Sequence, residues 1–267
     1  VAEPFVFRDH DGVGCWHVPA LEALGCVAAF SSRLGGVSSG ETATLNLSYK
    51  KADTPERVRE NYRRLARALE LPLESFNISR QVHGTEVLTA AYPGRGILDD
   101  LDNPICDAWI TQGPGMTLVK HHGDCTPVWL VDPVHQALGL IHAGWRGTVT
   151  GTADACLKAM TEHYGTNPAN VFAAVGPSIG SCCFEIQADV AEPLATLDES
   201  LVQHRDGKMF GDLRRANALR LLRLGVPTEQ IFVTELCTAC HPEAFYSHRR
   251  DHGHTGTMVS VLAWKKP

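Results

Sequence analysis

Leu118-Val119-Lys120-His121-His122-Gly123-Asp124-Cys125-Thr126-Pro127-Val128-Trp129-Leu130-Val131 runs into Asp132-Pro133, and Gln136-Ala137-Leu138-Gly139-Leu140-Ile141-His142 follows closely. Two apolar, strand-like runs bracketing an Asp-Pro turn predict strands over residues 118–131 and 136–142. Ala143-Gly144-Trp145-Arg146-Gly147 then leads into a helical pattern over residues 148–164. Strand, glycine turn and helix in this order set the fold class.

Working outward, residues 171–175 and 230–234 read as further short strands, and residues 55–69 and 211–224 as helices. The helix over 55–69 has a clear start in Asp53-Thr54-Pro55-Glu56, with Asp53 or Thr54 as N-cap and Pro55 in the first turn. Mixed strands and helices predict an α/β (α+β) architecture with central mixed sheets covered by helices. No Ser/Gly/Pro linker, low-complexity tract or charge run divides the chain, so residues 1–267 read as one domain.

With 44% hydrophobic residues over 267, the chain can fill a substantial core. A formal net charge of −6 gives no general attraction for nucleic acid or an anionic membrane surface, which favours small substrates. No apolar run of about 18 residues is present, and the first residues lack the basic-then-apolar pattern of a signal peptide. A cytoplasmic protein is expected, as a monomer or homodimer. Nine cysteines at irregular positions predict reduced thiols, most of them small buried apolar residues.

Three residues of metal-binding type sit in short turn-and-strand motifs. They are His83 in Gln81-Val82-His83-Gly84, Cys125 in Gly123-Asp124-Cys125-Thr126-Pro127-Val128, and His142 in Ile141-His142-Ala143-Gly144-Trp145-Arg146-Gly147. If the fold brings them together, two imidazoles and a thiolate suit zinc and leave its fourth position open for water or substrate. Taken singly, His83 reads as an ordinary hydrogen-bonded histidine, whereas Cys125, preceded by Asp124, His121 and His122, reads as a metal ligand or a nucleophile activated by a nearby imidazole rather than as an inert buried thiol. A metal-free alternative makes Cys125 a nucleophile with His142 as its base. Asp124 is a candidate partner of the metal ligands or proton carrier. Arg146, bracketed by Gly144 and Gly147 at a helix entrance, is a candidate anion contact.

Other motifs weigh less. Cys237-Thr238-Ala239-Cys240 has a CxxC spacing but no second CxxC to complete a four-cysteine site, and by spacing Cys182-Cys183 does not replace it. His252-Gly253-His254 is the one HxH and reads as a solvated loop. A four-copper oxidase needs about ten imidazoles in paired motifs, which excludes the ordinary multicopper class.

The motifs together resemble the YfiH-type laccase-domain family across nearly the whole chain. The resemblance runs through Phe30-Ser31-Ser32-Arg33-Leu34-Gly35-Gly36, Leu45-Asn46-Leu47, Arg57-Val58-Arg59-Glu60-Asn61, Gln81-Val82-His83-Gly84 and Cys106-Asp107-Ala108-Trp109. Asp124-Cys125-Thr126-Pro127-Val128, His142-Ala143-Gly144-Trp145-Arg146-Gly147, Gly176-Pro177-Ser178-Ile179-Gly180, Cys183-Phe184-Glu185, Cys237-Thr238 and Phe245-Tyr246-Ser247-His248-Arg249-Arg250 complete it. The resemblance implies zinc held by His83, Cys125 and His142. It also implies phosphorolysis of adenosine, inosine, guanosine and S-methyl-5'-thioadenosine, and deamination of adenosine to inosine. Purine nucleosides and phosphate are then the partners, with Arg33, Asn46, Gln81, Arg146 and Arg249 as candidate substrate contacts. An older description of the family is a copper-dependent polyphenol oxidase, and copper outcompetes zinc for such ligands. In this chain His122-Gly123 stands before Asp-Cys where the family has a small apolar residue, and Thr257 stands where Arg commonly follows Thr-Gly.

Overall fold

In the computed structural model, which describes residues 3–91, 94 and 103–265, the run expected as one strand over 118–131 is two strands in different sheets. Thr117–His122 and Thr126–Asp132 are separated by Gly123-Asp124-Cys125, where Asp124 has φ of 86°. Left-handed backbone cannot continue a pleated strand, so the chain leaves one ladder and enters the other at this turn.

The first sheet contains Val6–His10 (β1), Val13–His17 (β2), Cys26–Ser31 (β3), Phe76–Asn77 (β4), Thr117–His122 (β7) and Met258–Trp264 (β15). Their order is β1-β2-β3-β15-β7-β4, antiparallel except where β4 joins β7. The second contains Val87–Thr89 (β5), Ala108–Gln112 (β6), Thr126–Asp132 (β8), Ala137–Ala143 (β9), Phe172–Val175 (β10) and Ile231–Val233 (β14). Its order is β14-β10-β8-β9-β6-β5, with antiparallel pairing at the centre and parallel pairing at both ends. Glu185–Ile186 (β11), Val202–Arg205 (β12) and Lys208–Gly211 (β13) form a third small sheet beside helix α5, Ala188–Leu197.

Period-two alternation explains why the central strands are apolar on both faces. In β8, Trp129 and Val131 face the first sheet, while Val128 and Leu130 face helices. Leu138 and Leu140 of β9 also point between the sheets, as do Ala28 and Phe30 of β3. The indole of Trp129 donates to the carbonyl of Val261 at 3.0 Å and ties the two sheets together. On the outer face of the first sheet, Val58, Tyr62, Leu65 and Ala66 of helix α2, Pro55–Ala68, pack over Val27, Ala29, Val119 and Val261. On the outer face of the second lie Ala153, Cys156, Leu157 and Met160 of helix α4, Thr152–Tyr164, and Leu221 of helix α6, Leu213–Arg223. The result is a helix–sheet–sheet–helix stack, the mixed α/β architecture expected.

Local signals account for several boundaries. Thr54, rather than Asp53, caps α2 by accepting from the amide of Arg57, with Pro55 in the first turn. The helix expected over 148–164 is two, because Gly151 at φ 93° breaks it. The first of these, α3, is Trp145–Thr150 and begins three residues earlier than expected. A short helix, α1 (Pro19–Glu22), follows β2.

Candidate metal centre and its cavity

Alternation along β9 turns His142 to the same inner face as Leu138 and Leu140, at the edge of the layer between the sheets. His122, at the end of β7, is buried nearby with its ring centroid 5.5 Å from that of His142. Asp107, next to the start of β6, accepts a 2.8 Å hydrogen bond from His142 Nδ1 on Oδ1. This carboxylate also accepts from the amides of Val82 at 3.1 Å, His83 at 3.0 Å and Gly84 at 2.9 Å. One buried acid therefore fixes the His142 ring and folds the loop that presents His83, whose φ is 63°. Burial pushes the Asp107 carboxyl up, yet the His142 contact and the amides of Gly84 and Val82 outweigh it and hold it at about 2.

With Nδ1 engaged, Nε2 is the His142 nitrogen left for a metal. The ligand-type atoms of His83, Cys125 and His142 all lie within 4.8 Å of one another. Tetrahedral zinc with Zn–N of ~2.0 Å and Zn–S of ~2.3 Å sets two nitrogens and a sulfur roughly 3.3–3.5 Å apart, so the three fit it after small side-chain rotations. Gly144 makes this approach feasible: a Cβ there would sit 2.6 Å from His83 Cδ2 and 3.2 Å from Cys125 Sγ. Burial first, then Asp124 and Asp107, push the Cys125 thiol up to about 12, while burial lowers His142. His122 contributes a neutral ring, held between the Cys125 carbonyl at 3.1 Å and Ser260 Oγ at 2.8 Å, and burial keeps it well below the usual imidazole range.

The three groups open into a cavity of about 290 Å³, also lined by Tyr49, Lys50, Lys51, Gln81, His121, His248 and Thr257. That volume is near the lower end for small-molecule sites, roughly 300–1,000 Å³. A larger cavity of about 680 Å³, between His10, His17, Glu22, Leu71 and Lys265, lacks such a cluster among its described residues, and its size alone does not make it the site.

The remaining candidates divide. Gln81 lines the cavity, but its amide is paired with His121, donating to the carbonyl at 2.8 Å and accepting from the amide at 2.7 Å. Arg33, Asn46, Arg146 and Arg249 do not line it. Arg33 donates to the carbonyls of Ala43 and Pro242 and lies over Tyr246. Asn46 is fully buried and braces the rim through Ser48 and Thr257. Arg146 is exposed against the Trp145 ring, because α3 starts at Trp145 and carries it outward. Arg249 reaches the Glu185 carbonyl at 2.7 Å and the Phe184 ring. Asp124 points away from the imidazoles: its carboxylate accepts from Thr238 Oγ1, Ser247 Oγ and the Arg249 amide at 2.6, 3.0 and 2.7 Å. Asp107 and the Lys50-Lys51 pair are the residues not read from the sequence, where His122 stood out only as a neighbour of Cys125 and a departure from the family pattern. The Cys106-Asp107-Ala108-Trp109 motif and the two histidines before Gly123 were the signals available. The HxH histidines, His252 and His254, are exposed as expected.

A mixed α/β stack of this kind is a fold shared with known proteins. The chain matches the family model described as multi-copper polyphenol oxidoreductase laccase over residues 27–265, and it belongs to this laccase-domain family. It is 37% identical over 246 residues to purine nucleoside phosphorylase YlmD of Geobacillus stearothermophilus, covering 89% of this chain and 90% of that protein. To a purine nucleoside phosphorylase of Deinococcus radiodurans it is 38% identical over 252 residues, 92% of each. The crystal structure of YlmD from Geobacillus stearothermophilus superposes with a TM-score of 0.93 at 33% identity, covering 99% of this chain and 100% of that one.

Proposed function

We propose that this chain is a zinc-dependent purine nucleoside enzyme. It cleaves adenosine, inosine, guanosine and S-methyl-5'-thioadenosine with phosphate, and deaminates adenosine to inosine. The observation that carries this reading is the convergence of His83, Cys125 and His142 at a cavity of about 290 Å³ that two lysines also line. The relatives named purine nucleoside phosphorylase support its phosphorolysis part. Bound there, zinc supplies a Lewis acid and lowers the pKa of a coordinated water to ~7.

The chain's own residues have separate tasks. Asp107 keeps His142 in one tautomer and orientation. Lys50 and Lys51 bring positive charge to the cavity for phosphate, the role the sequence suggested for Arg146. In phosphorolysis a phosphate oxygen forms the bond to the anomeric carbon as the bond to the purine nitrogen breaks, and the departing base takes up a proton. In deamination water adds at the amino-bearing carbon and ammonia leaves.

A metal-free cysteine hydrolase is the weaker reading. A thiol pushed to about 12, beside an imidazole lowered by burial, is uncharged at neutral pH and a poor nucleophile. Copper at the same three ligands is the other alternative. The purified protein, assayed on the nucleoside panel with and without phosphate and analysed for metal, tests the proposal. Free base is expected only with phosphate, and inosine from adenosine without it. Cys125→Ser is expected to lose both zinc and turnover. Full zinc with no turnover in that variant supports the nucleophile reading, and a zinc-loaded wild type inert on every nucleoside overturns the proposal.

A further inference from the structure

Cys182, Cys183, Cys237 and Cys240 lie on two loops far apart in sequence, yet their four sulfurs are all within 4.8 Å of one another. The spacing argument against a four-cysteine set therefore fails in the fold. A tight turn at residues 180–183, in which the amides of Cys183 and Phe184 both bond the Gly180 carbonyl at 2.9 Å, lets two adjacent cysteines act together. The Ser178–Cys237 bridge brings the Cys237-Thr238-Ala239-Cys240 turn alongside.

We propose that these four cysteines form a second metal site, closed and all-thiolate, that takes one zinc ion. The Sγ of Cys240 is 3.5 Å from that of Cys182 and 3.4 Å from that of Cys183. The edge of a ZnS4 tetrahedron with ~2.3 Å bonds is about 3.8 Å, so these two pairs stand a few tenths of an ångström from it and the remaining pairs, within 4.8 Å, need shifts of about an ångström or less. Four soft sulfurs in this arrangement select zinc or iron over harder cations, and four protein ligands leave no open coordination position.

Independent observations also point to a charged cluster. The Gly180 amide donates to Cys237 Sγ at 3.2 Å, the kind of contact that stabilises a metal-bound thiolate. Three guanidinium groups flank the loops. Arg205 holds the Ser181 carbonyl at 2.5 Å, the buried Arg214 holds that of Thr234 at 3.0 Å, and Arg250 holds that of Thr238 at 3.0 Å. Arg250 is also paired with Asp251 and Arg214 faces Glu235, so the three offset part of the charge of −2 that four thiolates and one divalent cation carry. The zinc clamps the 178–183 loop to the 237–240 loop behind the turn that carries Cys125. Thr238 donates to the Asp124 carboxylate at 2.6 Å, and the Ile179 amide bonds the Asp124 carbonyl at 3.0 Å. The second ion is therefore structural.

Zinc per chain, measured by elemental analysis on protein purified under reducing conditions, tests this. Two equivalents are expected in the wild type, one in Cys125→Ser, and one in Cys182→Ser/Cys240→Ser, which should also melt at lower temperature. Should the double variant not fold, Co2+ is titrated into metal-stripped wild type. Two equivalents are expected, one of them with a thiolate-to-cobalt absorption several times that of a one-cysteine site. One metal per chain in the wild type together with no intense thiolate band overturns the proposal, as does iron in place of zinc. A Cys240 found in a disulfide in freshly purified, reduced protein does the same.

Discussion

Asp107 Oδ1 sits 2.8 Å from His142 Nδ1, and the same carboxylate gathers the amides of Val82, His83 and Gly84. One side chain thus orients one candidate ligand directly and a second through its backbone. Asp107→Asn keeps the shape but replaces an acceptor oxygen with a donor that faces N–H groups. Zinc affinity, measured by competition with a chromogenic chelator, is expected to fall about ten- to a hundredfold. Unchanged affinity would mean that the carboxylate only supports the loop.

Gly144→Ala tests the site by crowding alone. The new methyl would lie 2.6 Å from His83 Cδ2 and 3.2 Å from Cys125 Sγ, and the backbone at Gly144, φ −69°, accepts alanine without strain. Overpacking of this kind costs about 1–3 kcal/mol, so metal occupancy should drop although every ligand is present. Calorimetric zinc titration reads the loss.

Phosphate should follow the lysines. Lys51→Met is expected to raise the phosphate KM of phosphorolysis about ten- to a hundredfold, the worth of a charge-assisted contact, with adenosine deamination largely retained. Arg146→Ala, at an exposed side chain stacked on Trp145, should shift that KM by no more than about threefold. The reverse pattern would return phosphate to the α3 entrance.

Glu22 gives a pH prediction remote from the metal centre. Its carboxylate meets His17 Nδ1 at 2.7 Å and Arg8 Nη1 at 2.8 Å. Burial pushes its pKa up, but these contacts win and hold it below the usual 4.5. A depressed folded value stabilises the protein above 4.5 and loses that contribution as the pH falls through the folded value. Glu22→Gln should melt no more than about 3 °C lower than wild type at pH 7, and the gap should close below pH 4.5. Thermal melts across pH 3–7 read the difference, and a gap independent of pH would assign it to packing.

Much of the fold was legible where local signals were strong. Thr54-Pro55 opens α2, and the apolar run after Asp132-Pro133 is β9. Residues 118–131 misled because the polar run Lys120-His121-His122-Gly123-Asp124 between the two apolar halves is itself partly strand, with Lys120 and His122 buried in β7, so only Gly123-Asp124 marks the change of sheet. The convergence of His83, Cys125 and His142 could be read because histidine and cysteine beside glycine turns are uncommon. Asp107 could not, since a carboxylate lying 24 residues from His83 acquires meaning only when backbone amides converge on it. Arg146 looked apt between glycines, but which way it points depends on where α3 begins. Cys182-Cys183 needed the turn at Gly180 to reach the CxxC pair.

β7 pairs with β15 so that His122 stands opposite Met258 and His121 opposite Val259. His122 turns inward to Ser260, and His121 turns outward to Tyr62. Sliding this ladder by a single residue would exchange the two imidazoles between interior and rim and carry Cys125 away from His142. The alignment of two strands is thus an address for the cluster just beyond their ends, and a chain mispaired by one step would keep its sheets while scattering that cluster.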